Sequence, residues 1–280
     1  MFTSFTSIFQ DTMAEENWTN FQRELGEVPV LFPLGVIEEH GPHLPLGSDI
    51  YWSYAMCRLV KEKLAAMGRE SVIAPPYYWG VNYCTGCFPG TFSLKPETMK
   101  QVLFELFENL KGFSFREIYC FNYHGDSAHI SAITDALKRA NDELGLSCKL
   151  VLNSMDLGLY GWRGDEDFLL VIDPPYPMEW FEEEDPSEAG RLDIHGGAFE
   201  TGVMNYFCPK LVDLETAAKM QSTSLDLPGL QKWQHGGEEL KEVAPLGYAG
   251  NPAGYPAVSK HVEEMLVLQV EEIAKQIAHS

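Results

Sequence analysis

Apolar positions along the chain follow two patterns: short continuous runs, and longer runs in which apolar side chains recur at helical spacing. Continuous apolar runs predict strands that are buried on both faces of a sheet. Such runs occur at residues 28–36, 71–74, 117–122 and 149–153. The helical spacing predicts amphipathic helices at residues 49–67, 96–110, 127–144, 198–207 and 258–278.

The predicted strands and helices alternate in order, and the sequence contains no internal repeat. This alternation predicts one α/β domain with a mainly parallel sheet, at residues 13–280. Residues 1–12 precede a polar stretch at Met13, and we expect them to form a flexible extension. Residues 157–190 are rich in Pro, Trp and Glu, and we expect them to be irregular.

The composition of the chain limits the classes of partner that we expect. The 280 residues include 41 acidic and 20 basic side chains, which gives a net charge of −21. This charge repels nucleic acid and anionic membrane surfaces, so we expect neither as a partner. No apolar run reaches the roughly 18 residues that a membrane helix needs. Six scattered cysteines form no dense disulfide framework, which favours reduced thiols and a cytoplasmic location.

The first chemical cluster comes directly after the first predicted strand. Glu38 and His40 are two residues apart, so in an extended segment their side chains point to the same side. Gly and Pro residues then form a stiff loop, and Asp49 follows at the start of the next predicted helix. Two carboxylates and an imidazole on a rigid loop suit Zn²⁺ or Mn²⁺. The alternative is a turn whose side chains only cap backbone groups.

A second cluster follows the third predicted strand and contains His124 and Asp126. In open parallel sheets, ligands bind beyond the carboxyl ends of the strands, where the first strand also delivers its cluster. Two clusters that reach one edge of a sheet indicate a binding site there. A third cluster places His195 and Glu200 around a Gly-Gly turn, and by itself it is also compatible with an ordinary loop and helix start.

Together the three clusters resemble the creatininase (creatinine amidohydrolase) family. Residues 38–49 look like its E-Q-H-G-P-H-L-P-x-x-x-D motif, residues 122–127 like its N-G-H-G-x-N segment, and residues 195–202 like its H-A-G-x-x-E-T-S segment. Residues 88–94 (FPGTFSL) look like its F-P-G-T-x-S-L turn. The resemblance covers about residues 33–202. It implies a three-layer α/β/α fold and a homohexamer.

The resemblance also implies two divalent metal ions per chain, Zn²⁺ and/or Mn²⁺, with Fe as a further option. Asp49 would bridge the two ions, and either Asp126 or Glu200 would complete the second site. His195 is similar to the family's active-site histidine, so we expect it to move a proton during catalysis. The remaining implied ligands are Glu38, His40 and His124.

The implied reaction is hydrolysis, by a metal-bound water, of an amide-type C–N bond in a small polar substrate that is cyclic or formylated. Two alternatives stay open: ring opening of a keto-cyclitol on the same scaffold, and a metal-stabilised binding protein without catalysis. Glu39 stands where the family has Gln, and Tyr123 stands where it has Gly. Residues 82–87 also depart from the family's pattern. We therefore predict an altered pocket in which Tyr123 and His43 contact the substrate.

Overall fold

The computed structural model describes residues 5–21, 28–181 and 192–280. Within these ranges the centre of the protein is a five-stranded sheet with the order β2-β1-β3-β4-β5. Every pairing in this sheet is parallel. The strands are β1 (Val30–Leu34), β2 (Val72–Ile73), β3 (Glu117–Asn122), β4 (Ser147–Asn153) and β5 (Leu169–Ile172).

The longer helices of the described residues are α1 (Ser48–Ala66), α2 (Pro96–Gly112), α3 (Ser127–Leu144), α4 (Ala198–Phe207), α5 (Leu227–His235) and α6 (Val262–Ala278). Single-turn helices occur at Trp18–Phe21, Leu157–Tyr160, Leu214–Ala217, Leu240–Val243 and Tyr255–Ser259. Short 3₁₀ turns occur at Met13–Glu15, Ser154–Asp156, Met178–Phe181, Pro209–Leu211 and Pro252–Gly254. No helix in the described ranges is long and apolar enough to cross a membrane.

The sheet is covered by helices on both faces, which confirms the predicted three-layer arrangement. Successive side chains of a strand point to opposite faces. On β3, Ile118 and Cys120 join a core built with α2 and α3. Tyr119 and Phe121 join the opposite core, which is built with α1, α4 and α6. The central strands are therefore buried on both faces, as their continuous apolar runs predict.

The predicted elements occur with small shifts at their ends, and one strand was missed. Helices α3 and α4 and strand β3 have the predicted bounds. The helix predicted at residues 258–278 is interrupted near its start. A single-turn helix, Tyr255–Ser259, precedes the long helix Val262–Ala278. The prediction of an irregular segment is wrong for Leu169–Ile172, which pairs with β4 as the edge strand. Residues 182–191 of that segment lie outside the described residues.

Residues 5–12, which belong to the expected flexible extension, pack against α1 in this structure, and the flexibility of residues 1–12 stays a prediction. The Phe5 ring contacts the Tyr54 ring edge-on, with 4.9 Å between centroids. The Tyr54 hydroxyl donates a hydrogen bond of 2.5 Å to the Gln10 carbonyl. Arg58 pairs with Asp11 at 3.3 Å. Apolar and polar contacts thus hold these residues on the helix. Residues 1–4 lie outside the described ranges, and a single domain over 13–280 stays a prediction.

The close approach of β1 to α1 yields a test of the packing. A Cβ atom on Gly35 would lie 2.9 Å from the backbone N and Cα of Ile50, and backbone atoms cannot rotate away. We expect Gly35→Ala to lower the free energy of unfolding by about 1–3 kcal/mol, as overpacking does elsewhere. Urea denaturation measures this change.

Gly112→Ala is the matched control, because no atom lies within 4 Å of its Cβ position at the end of α2. Alanine favours helix, so this variant should keep or raise the stability by up to about 1 kcal/mol. Equal destabilisation by both variants would contradict the account of Gly35.

Candidate metal centre

The first two clusters meet at the carboxyl edge of the sheet because β1 and β3 are neighbours. Leu34, the last residue of β1, pairs with Asn122, the last residue of β3. The loop after β1 carries Glu38 and His40, and the residues after β3 carry His124. All three side chains are buried, with at most 5% of the residue exposed.

One group of candidate ligands combines Glu38, Asp49 and His124. Each offers one ligand atom, and these atoms lie within 4.8 Å of one another. His124 Nδ1 lies 2.7 Å from Glu38 Oε1 and 3.5 Å from Asp49 Oδ2. The Oδ2 atom of Asp49 is buried and accepts no hydrogen bond. A buried carboxylate oxygen without a hydrogen bond is costly unless a cation meets it.

A second group combines His40, Asp49 and Glu200, with ligand atoms again within 4.8 Å. His40 Nε2 lies 3.1 Å from Asp49 Oδ1 and 3.9 Å from Glu200 Oε2. Asp49 therefore offers one oxygen to each group. It stands in the first turn of α1, where the positive end of the helix dipole favours a carboxylate.

The three histidines of the site share one arrangement. Each ring has one nitrogen within hydrogen-bond distance of a backbone carbonyl: His40 Nδ1 at 3.1 Å from Glu38 O, His124 Nε2 at 3.0 Å from Val81 O, and His195 Nε2 at 2.6 Å from Glu39 O. A carbonyl oxygen only accepts, so that nitrogen carries the proton. The other nitrogen can then offer a lone pair to a metal, as in metal sites where a second partner fixes the ring.

Burial and mutual charge set the acidity of the cluster. Burial raises the pKa of the Asp49 carboxyl and raises that of Glu200 to about 7. Burial also raises the pKa of Glu38, but neighbouring His124 and the other histidines outweigh it and hold that pKa well below its usual range. Burial, and secondly the charge of nearby His40, lower the pKa of His195 to about 3. The cluster thus concentrates carboxylates where water cannot stabilise their charge.

The third cluster reaches the first through a glycine turn. Gly196 has a φ of +59°, and a Cβ atom on it would lie 2.8 Å from the His40 carbonyl oxygen. The Gly196 amide donates to Glu200 Oε2 at 2.6 Å, which orients that carboxylate. The His195 ring lies 4.3 Å from the His40 ring, measured between centroids. A ring nitrogen of His195 also forms a candidate ligand group with Glu38 and His40.

Asp126 lies outside these ligand groups. Its Oδ1 atom accepts from the backbone amides of Ala128 and His129, at 2.8 and 3.3 Å, and so caps the N-terminus of α3. Its Oδ2 atom accepts from the amides of Tyr83 and Cys84, at 2.7 and 3.2 Å. Both oxygens are therefore committed to the backbone, and between the two open candidates only Glu200 has its carboxylate in a ligand group.

Thr85 is a neighbour of the centre that the sequence reasoning did not single out. Its hydroxyl donates a short hydrogen bond to Glu38 Oε2, while Oε1 of the same carboxylate faces His124. Thr85 is 1% exposed and belongs to the segment at residues 82–87 that Asp126 holds by its amides. The departure of this segment from the family's pattern was the available signal, but nothing in the spacing indicated a contact with Glu38.

Of the two predicted substrate contacts, only Tyr123 faces open space. It lines a cavity of about 620 Å³ together with His124, and its ring stacks on Trp52 with 4.2 Å between centroids. His43 is 2% exposed and does not line this cavity. Its Nε2 atom lies 2.8 Å from Thr201 Oγ1, because the turn after His40 directs it towards α4. The structure thus gives His43 a packed position.

His129, Cys84 and Cys87 have side chains that could bind a metal, and in this structure they serve packing. His129 is buried, with Nε2 at 3.0 Å from Asn122 Oδ1 and Nδ1 accepting from the Val81 amide at 3.2 Å. His129 is therefore a histidine of the core. Cys84 and Cys87 are free thiols that pack against the small core around Trp233.

Known proteins are similar to this chain in sequence. The sequence model of the creatininase family, described as creatinine amidohydrolase, matches residues 14–277. A creatinine amidohydrolase of Pseudomonas putida is 24% identical over 221 residues, covering 72% of this chain and 74% of that protein. A mycofactocin precursor peptide peptidase of Mycobacterium ulcerans is 26% identical over 235 residues, covering 82% of this chain and 77% of that protein.

Solved structures agree with the fold. A structure named "Creatininase Mn" superposes with a TM-score of 0.65 at 21% identity, covering 96% of this chain and 98% of that one. A variant creatininase of "Zn-Zn type" superposes with a TM-score of 0.64 at 21% identity, covering 98% of each chain. With a family match over nearly its whole length, the chain belongs to the creatininase family of metal-dependent hydrolases.

Proposed function

We propose that this protein is a dinuclear metal-dependent amidohydrolase that cleaves an amide-type C–N bond in a small polar substrate. The observation that carries the proposal is the position of Asp49, whose two oxygens belong to two different groups of candidate ligands. One ion would be held by Glu38, Asp49 and His124. The other would be held by Asp49, His40 and Glu200.

The residues fit divalent cations by their chemistry. Imidazole nitrogens and carboxylate oxygens suit zinc and manganese, and the names of two similar structures mention these metals. Two further observations support bound cations. The Oδ2 atom of Asp49 accepts no hydrogen bond, and backbone carbonyls hold the protonated ring nitrogens of His40 and His124, which leaves the other nitrogens free to bind metal. Cations bound here would act as Lewis acids towards a carbonyl and would make water a stronger nucleophile at neutral pH.

His195 is the residue that we propose for proton transfer. Its Nε2 proton is held by the Glu39 carbonyl, so the free ring nitrogen, Nδ1, can accept a proton and pass it to a leaving nitrogen. The His195 ring packs against the rings of His40 and Trp233, whose centroids lie 4.3 and 5.1 Å from its own. These contacts fix its orientation. Glu39 adds a buried carboxyl whose pKa burial raises to about 8.

For the substrate, we propose the type of bond that is cleaved, an amide-type C–N bond. The family's name and the Pseudomonas putida relative support a cyclic amide, and formylated amides share the same reacting group. The Mycobacterium ulcerans relative, named as a peptide peptidase, shows that a related chain of this family carries a different name and substrate class. Assembly as a hexamer and a cytoplasmic location stay predictions from the sequence.

Metal content is the first test of the proposal. Reconstituted protein should hold about two Zn²⁺ or Mn²⁺ ions per chain, and Asp49→Ala should lose both because it removes an oxygen from each group. Glu200→Gln should mainly weaken one ion. Elemental analysis after dialysis measures the ratio.

Asp126→Asn is the matched control for these variants. The Asp126 side chain accepts hydrogen bonds from four backbone amides and belongs to neither group of candidate ligands. This variant should therefore still hold about two ions. Loss of an ion from Asp126→Asn with full retention by Glu200→Gln would reverse the assignment of the second site.

The proposed role of His195 predicts a separation between metal content and turnover. His195→Gln should lower kcat by about 10²- to 10⁴-fold, the usual effect of removing a positioned acid–base group. The assay uses the best substrate of a panel of creatinine, other cyclic amides, formamides and keto-cyclitols. The variant should keep its metal; a parallel loss of metal would make His195 a ligand, as its group with Glu38 and His40 allows.

Thr85 is predicted to position Glu38. Removing a partner that orients a metal ligand typically weakens metal binding by about 10–100-fold, so Thr85→Val should weaken one of the two ions by this factor. Thr85→Ser keeps the hydroxyl and should bind both ions as the wild type does. Competition with a chromophoric chelator measures both dissociation constants, and unchanged values for Thr85→Val would remove this role.

A further inference from the structure

The cavity beside the proposed metal centre is larger than a single small ring needs. Its volume of about 620 Å³ lies within the range of roughly 300–1,000 Å³ that is typical of sites for drug-sized ligands. His124, a candidate ligand, and Phe199, the residue before Glu200, both line the cavity. A substrate bound at the centre would therefore have space for a substantial second group.

Several aromatic side chains line this cavity. Trp52 and Tyr123 stack face to face, with an interplanar angle of 11°. Trp180 stacks on His261 with 5.0 Å between ring centroids. The faces of aromatic rings carry partial negative charge and attract cations. The Phe, Tyr and Trp residues of the lining are Trp52, Phe121, Tyr123, Tyr160, Tyr176, Trp180 and Phe199.

Asp156 places a carboxylate among these rings. It is half-buried and lines the cavity, and among the described residues its side chain has no hydrogen bond and no ion pair. The described lining contains neither lysine nor arginine. Burial raises the pKa of the Asp156 carboxyl, as expected where no cation faces it. Tyr160, whose pKa is raised to about 12 by burial and then by the charge of Asp156, lines the same cavity.

We propose that this cavity is a subsite for an alkylammonium group of the substrate, held by Asp156 and the surrounding aromatic rings. The inference rests on the proposed hydrolase function, because the adjoining centre would act on the amide of the same molecule. The amide lies at the His124 wall, and the ammonium group lies at the Asp156 wall. The substrate is therefore an amide that also carries an amine, with an apolar linker between them.

The chemistry of the walls disfavours other occupants. A purely apolar group would strip water from Asp156 and leave its carboxylate without a partner. A carboxylate or phosphate group would face like charge in the same confined space. An ammonium group meets both features, because it pairs with the carboxylate and packs against ring faces. A site with an unpaired polar group rejects ligands that cannot pair it, so Asp156 would set specificity.

Binding of a matched pair of probes tests the subsite without turnover. Choline carries a quaternary ammonium group that has no lone pair for a metal, and 3,3-dimethylbutan-1-ol is its neutral isostere. Isothermal titration with metal-loaded protein should show choline binding at least about tenfold more tightly than the alcohol. Equal affinities for choline and the alcohol would overturn the proposal.

Variants assign the preference to Asp156. Asp156→Asn should reduce the ratio between choline and the alcohol to near one, and Asp156→Glu should restore most of it because the charge returns. Asp142→Asn, an exposed aspartate on α3, is the control and should bind as the wild type does. A full preference in Asp156→Asn would overturn the proposal, because the cation would then be held elsewhere.

Metal analysis of the same preparations separates this inference from the proposed function. A preference that depends on Asp156 in protein that binds no metal would support a cation subsite and reject the hydrolase. Two ions per chain without any preference for choline would support the metal centre and reject the subsite.

Discussion

The site is organised by the sharing of one buried carboxylate. Asp49 faces His40 with one oxygen and His124 with the other, and both oxygens are removed from water. Three further acidic groups, Glu38, Glu39 and Glu200, lie around it, so the histidines alone cannot balance the charge without being protonated. Divalent cations bound here would resolve this conflict, because they would neutralise the carboxylates and let each imidazole act as a neutral ligand.

The parallel sheet makes this arrangement possible. β1 and β3 are adjacent, so loops that are far apart in the sequence begin side by side. Asp49 is carried by α1, and the contact between Gly35 and Ile50 brings that helix against the end of β1. Glu200 arrives on α4 from the far side, oriented by the Gly196 amide. Candidate ligands from four separate elements thus meet at one edge of the sheet, as expected for a crevice at the carboxyl ends of strands.

Much of this could be predicted from sequence, and the exceptions have physical causes. Continuous apolar runs identified the central strands, but the run Leu169–Ile172 lies in a segment rich in Pro, Trp and Glu that favoured an irregular structure, and it forms a strand by pairing with β4. The motifs located the candidate ligands but could not choose between Asp126 and Glu200, because the choice depends on where backbone amides point. Four amides engage Asp126, whereas Glu200 faces His40. Asp156 was not identified either, since its surroundings are assembled by folding.

Anomalous diffraction from crystals grown with Mn²⁺ tests the central claim most directly, because it locates metal without relying on activity. The account predicts two peaks that flank Asp49, one against Glu38 and His124 and the other against His40 and Glu200. A single peak that leaves one Asp49 oxygen without metal would contradict a dinuclear centre bridged by Asp49, and peaks that contact Asp126 in place of Glu200 would contradict the assignment of the second site.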